Sequence, residues 1–90
     1  MNSPVMRIFK MTYRLLFKDK YFEAYIETDD AADVIGRFYE SNITYMHPID
    51  IISIEEVKPS EVDRSKQYIT YDIYYKQKNK IRKMIENEGE

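Results

Sequence analysis

Residues 11–28 read MTYRLLFKDKYFEAYIET. Met11, Tyr13, Leu15 and Phe17 alternate with Thr12, Arg14, Leu16 and Lys18, the period of two that a half-buried strand imposes. Lys18-Asp19-Lys20 supplies the polar residues of a turn, after which Phe22, Ala24 and Ile26 alternate with Tyr21, Glu23, Tyr25 and Glu27. Two strands joined this closely make an antiparallel hairpin. Everything else in the chain has to cover one face of it.

Downstream, Thr28-Asp29-Asp30 offers side-chain oxygens to the open N–H groups of a helix, and Asp30 with Asp33 approximates a capping box. Ala31, Val34, Ile35 and Phe38 then fall at helical spacing, and Ser41-Asn42 closes a helix expected over 30–41. Gly36 sits inside it, which costs about 1 kcal/mol relative to alanine. Two explanations are open: close packing on the sheet, or a notch for a neighbouring chain. Thr44–Met46 extends into His47-Pro48, whose proline bars a central strand there. A third strand follows over 49–57, with Ile52 and Ile54 on one side and Ile51, Ser53 and Glu55 on the other. Lys58-Pro59-Ser60 breaks it, and a loop or single helical turn fills 58–66. Tyr68–Tyr75 alternates again and is dense in β-branched and aromatic residues, so it reads as a fourth strand. Lys76–Asn87 carries Ile81, Met84 and Ile85 at helical spacing and forms a basic terminal helix.

The order is therefore ββαββα, a single small α+β domain with an antiparallel sheet and both helices packed on one face. The expected organisation is a loose N-terminal leader over 1–10, a domain over 11–87 and an acidic tail over 88–90. Met11 doubles as an alternative start.

At 90 residues the chain has room for one core. Lacking cysteine, it forms no disulfide, thiolate metal site or cysteine nucleophile. One histidine, His47, leaves most metal and acid–base constellations short of members. It reads as a loop histidine, with no triad partner nearby. Apolar runs are too short for a membrane span and no signal-peptide core is seen at the start, so a cytoplasmic protein with no membrane partner is expected. Residues with AT-rich codons (Phe, Tyr, Met, Ile, Asn, Lys) far outnumber Gly, Ala, Arg and Pro, which points to a low-GC bacterium or its phage.

Charge is segregated beneath a net of −2. Arg7, Lys10, Arg14 and Lys18 open the chain without an acid, and residues 19–63 hold twelve acids against Lys20, Arg37 and Lys58. Arg64 to Lys83 is again basic, and Glu86, Glu88 and Glu90 end the chain. Blocks of opposite sign pair internally or meet a partner of opposite charge. The acidic middle also admits mimicry of DNA phosphates, although solubility alone favours acidic surfaces.

No constellation supports catalysis. Asp29, Asp30 and Asp33 lack the spacing and central glycine of a calcium loop and read as helix caps. Glu55 and Glu56 would point to opposite sides of a strand. With two glycines there is no phosphate loop. The expectation is no enzyme, no cofactor and no metal. Tyrosine, present nine times, brings contact area with a polar tip and is enriched at binding hot spots. Tyr21, Glu23, Tyr25 and Glu27 share one side of strand two, and Tyr68, Asp72 and Tyr74 one side of strand four. These seven are the expected protein-binding residues of a small adaptor or inhibitor, such as a phage-encoded modulator of a host bacterial protein. The alternative is a single-stranded nucleic-acid binder that stacks bases on sheet tyrosines and holds phosphates with Lys76, Lys78, Lys80, Arg82 and Lys83. An edge strand pairing in a homodimer is a further option.

Overall fold

The computed structural model describes residues 6–42 and 48–88, apart from the side chains of 86–88. The sequence readings for His47, for Thr44–Met46, for the first five residues and for the end of the acidic tail lie outside the described residues. The chain forms β1 (Arg7–Leu15), β2 (Lys20–Thr28), α1 (Val34–Ser41), β3 (Ile49–Val57), β4 (Gln67–Ile69) and α2 (Tyr75–Glu88), with single 3-10 turns at Ala31–Asp33 and Pro59–Glu61. The α+β class and the ββαββα order hold. β1 starts at Arg7, so residues 7–10 belong to the sheet and not to a leader.

The four strands lie in the order β3-β1-β2-β4. β1 pairs antiparallel with β2 on one side and β3 on the other, as the hairpin reading requires. β4 pairs parallel with β2, Tyr25 opposite Tyr68 and Ile26 opposite Ile69. The sheet is thus mixed, which corrects the antiparallel expectation. The cause is the 58–66 segment, a crossover from one edge of the sheet to the other, which brings β4 in alongside β2 instead of folding it back on β3.

One side of the sheet carries the core. Phe9 and Met11 of β1, Ala24 and Ile26 of β2 and Ile69 of β4 meet Val34 and Phe38 of α1. Met11, Ile26 and Val34 are sealed from solvent, each such side chain contributing about 1.5–3 kcal/mol of burial. Tyr13 packs at the margin, its ring centroid 4.9 Å from Phe38 and 5.7 Å from Phe22. Asp30 caps the 3-10 turn that leads into α1, its Oδ1 accepting from Ala32 N at 3.0 Å. At the other end Asn42 Nδ2 donates to the Phe38 carbonyl at 2.8 Å, while its Oδ1 accepts from Gln67 Nε2 at 3.1 Å and ties α1 to β4.

Two readings of the strands need correction. In β3 the register shifts between Thr12 and Tyr13, which stand opposite Ser53 and Ile51. Ile52 is the extra residue of this bulge and is exposed, so Ile51 and Ile54, not Ile52 and Ile54, pack toward the core. Beyond Ile69 the alternation of 68–75 does not continue as a strand. The Thr70 carbonyl accepts from Arg37 Nη2 and the Tyr71 N–H donates to Glu27 Oε1. Asp72 then starts α2, its Oδ1 accepting from Tyr74 N and its carbonyl from Tyr75 N. With their hydrogen bonds made by side chains, these residues have no use for a ladder partner.

The expectation that both helices pack on one face holds for α1 only. α2 is held at its first turn. The Tyr75 hydroxyl fills the space a Cβ would take at Gly36, so the glycine notch receives a residue of the same chain. Past that turn Ile81, Met84 and Ile85 are exposed.

Candidate functional site

The side of the sheet opposite α1 collects the residues that alternate away from the core. From β1 come Lys10, Thr12 and Arg14; β2 contributes Tyr21, Glu23, Tyr25 and Glu27, and β4 adds Tyr68. Lys10 Nζ lies 3.0 Å from Glu55 and 3.5 Å from Glu23, while Arg14 sits 2.7 Å from Asp50 and 3.8 Å from Asp19. The basic opening of the chain therefore meets the acidic middle across the strands. Hydrogen bonding and proximity to Glu55 push the Lys10 ammonium above its ordinary range.

Tyr21, Glu23, Tyr25, Glu27 and Tyr68 do share this face, but not equally. Tyr21 is 62% exposed, whereas Tyr25 is 3% exposed and closed to any partner. Glu27 is occupied: its Oε2 accepts from the Tyr68 hydroxyl at 2.7 Å and its Oε1 from Tyr71 N at 3.1 Å. Burial and this carboxylate push the Tyr68 phenol up to about 12. Arg64 lies over the Tyr68 ring, 5.4 Å from its centroid. Asp72 and Tyr74, expected in the same row, stand instead at the start of α2. There Asp72 bonds Lys78 Nζ at 2.7 Å, which lowers the carboxyl and raises the ammonium from their usual ranges.

The hairpin end carries what the sequence reading missed. β1 stops at Leu15, and Leu16-Phe17-Lys18-Asp19 forms the turn, with Lys18 N donating to the Leu15 carbonyl. Asp19 takes a positive φ of 46°, which aspartate tolerates better than most residues. Leu16 N donates to the Pro48 carbonyl and fixes the turn against the start of β3. Phe17 is thereby carried out of the strand alternation and is 77% exposed, with Leu16 and Tyr21 exposed beside it in the chain. The signal was the run Leu15-Leu16-Phe17, whose three consecutive apolar residues cannot all face one side of a strand.

At the opposite corner Thr28, Asp29, Asp33, Arg37, Tyr71, Asp72, Ile73, Tyr75 and Lys76 line a small cleft. Lys76 Nζ stands 3.8 Å from Asp33 and 3.9 Å from both Asp29 and Asp30, so the cation facing this aspartate cluster is the protein's own. Burial raises Asp33 from its ordinary value against the pull of Lys76. Among the described residues no cluster of His, Asp or Glu is arranged to hold a metal ion. Of the basic residues expected to hold phosphates, Lys76 and Lys78 are engaged with aspartates, whereas Lys80, Arg82 and Lys83 are exposed and make no ion pair among the described residues.

The chain matches no family model, no curated protein by sequence and no solved structure. No helix among the described residues is long and apolar enough to cross a membrane.

Proposed function

We propose that this protein is a small non-enzymatic binding module, an adaptor or inhibitor that engages another protein through the hairpin end of its sheet. The observation that carries the reading is Phe17, an aromatic ring held out on a turn that is fixed at both ends. An ordered, exposed aromatic gives a partner large contact area at little entropic cost. Tyr21 and Glu23 extend the surface along β2, while Tyr25, Glu27 and Tyr68 support it from within. The low-GC residue usage supports a low-GC bacterium or its phage as the source, and the reading is of a cytoplasmic modulator of a host bacterial protein.

The test is capture from a low-GC bacterial lysate with wild type and with Phe17→Ala/Tyr21→Ala, with and without nuclease. A protein retained after nuclease and lost with the double variant supports the reading. Capture that the variant leaves unchanged, or that needs nucleic acid, refutes it. The nucleic-acid alternative keeps the exposed cations Lys80, Arg82 and Lys83 but loses two of its stacking platforms, because Tyr25 is buried and Tyr68 is bonded to Glu27.

A further inference from the structure

The exposed rings at the hairpin end stand beside positive charge that the protein does not answer itself. Along β1 each cation is met by acids: Arg7 by Glu56 at 2.8 Å, Lys10 by Glu55 and Glu23, and Arg14 by Asp50 and Asp19. Lys18 and Lys20 are not. Both are exposed, one in the turn that carries Phe17 and one at the start of β2, and neither makes an ion pair among the described residues. Lys20 Nζ stands instead 5.7 Å from the centroid of the Phe22 ring. Asp19 and Asp50, the acids at this end of the hairpin, both turn to Arg14. Arg14, Lys18 and Lys20 against these two acids leave the tip positive.

Shape and charge together describe what fits. Phe17 and Leu16 project from the turn, 77% and 49% exposed, so the surface that receives them is concave. The lysines beside them call for negative charge on its rim. Asp19 decides what carries that charge. It lies between the two lysines in the chain with its side chain 89% exposed. A surface studded with phosphates, whether a lipid bilayer or a nucleic-acid strand, would set like charge against Asp19 wherever it met the lysines. A folded protein places its acids singly and can spare that carboxylate. On the reading that the hairpin end is the binding surface, we propose that the partner is a protein with an apolar pocket rimmed by Asp and Glu side chains. Phe17 enters the pocket, and Lys18 and Lys20 pair with carboxylates on the rim.

The test is carbodiimide cross-linking of the full chain in nuclease-treated low-GC bacterial lysate, read by mass spectrometry, with capture by folded variants measured beside it. Carbodiimide joins an amine to a carboxyl only where the two touch, and the expected product is an amide between Lys18 or Lys20 and an Asp or Glu of the captured protein. Lys18→Glu/Lys20→Glu should cut capture by about tenfold, whereas Lys80→Glu/Lys83→Glu, the same charge change on exposed positions of α2, should leave it unchanged. Capture should also weaken as salt rises from about 0.1 M to 1 M and the screening length falls from about 10 Å to 3 Å. Capture lost with Phe17→Ala/Tyr21→Ala but indifferent to the Lys18 and Lys20 reversal and to salt overturns this proposal and leaves the hairpin surface standing. Capture indifferent to both pairs of changes overturns the hairpin reading and this proposal with it. Wild-type binding to vesicles of phosphatidylcholine and phosphatidylglycerol in equal parts, abolished by Lys18→Glu/Lys20→Glu, assigns the lysines to a lipid surface and also overturns it.

Discussion

Gly36→Ala separates two opposed effects at one atom. In an ordinary helix the change gains about 1 kcal/mol from backbone propensity. Here the added methyl would overlap the Tyr75 hydroxyl and lie 3.0 Å from its ring carbon Cζ. The ring has limited room to yield, since it lies beneath Arg37, whose guanidinium carbon is 5.7 Å from its centroid. Displacing it forfeits about 1.5–2.5 kcal/mol of ring burial and ~0.5 kcal/mol of cation–π attraction. The expected outcome is a net loss of about 1–2 kcal/mol. In a Tyr75→Ala background the same methyl meets open space and should stabilise by about 1 kcal/mol. Urea denaturation of the four proteins gives the double-mutant cycle, and the coupling should come to ~2–3 kcal/mol. If Gly36→Ala has the same sign and size in both backgrounds, the notch does not hold α2 and the argument fails.

Two further outcomes follow from the core and the outer face. Met11→Ala empties a wholly enclosed site on the central strand and should cost about 2–5 kcal/mol in urea denaturation, enough to leave a small domain largely unfolded; a loss below ~1 kcal/mol would contradict the packing described. The Tyr68 phenol, raised from 10 to about 12 in the folded state, favours the folded protein fully below pH 10, and that contribution fades as pH rises through 12. Tyr68→Phe should therefore flatten the alkaline decline in stability by ~1–2 kcal/mol, with equal declines in the two proteins excluding the Glu27 bond as its source.

The hairpin was legible because every step of its alternation serves one core: Met11 with Ala24, Phe9 with Ile26 and Tyr13 with Phe22 are opposite one another on the same side. The fourth strand was not. Residues 70 and 71 leave the ladder because Arg37 and Glu27, more than thirty residues away, bond their backbone groups, and no local pattern announces such distant partners. For the same reason the parallel direction of β4 could not be read, since strand order depends on which edge the 58–66 crossover reaches. The tyrosines of β2 were assigned to the right face, yet only Tyr21 is open there, because a residue's side of a sheet says nothing about what passes over it. Phe17 was hidden by extending the alternation two residues too far.

The bulge in β3 is written into both faces of the sheet at once. On the outer face Lys10 and Arg14 are four positions apart in β1, while the acids they bond, Glu55 and Asp50, are five apart in β3. On the core face Met11 and Tyr13 are two apart, while Ile54 and Ile51 opposite them are three apart. The ion pairs and the apolar contacts each demand one surplus residue at the same place, and Ile52 supplies it. A strand slipped by a single position would break the charge matching and the core contacts together, so an edge strand of nine residues, otherwise free to slide or recruit a stranger, is held to one alignment by two unrelated forces.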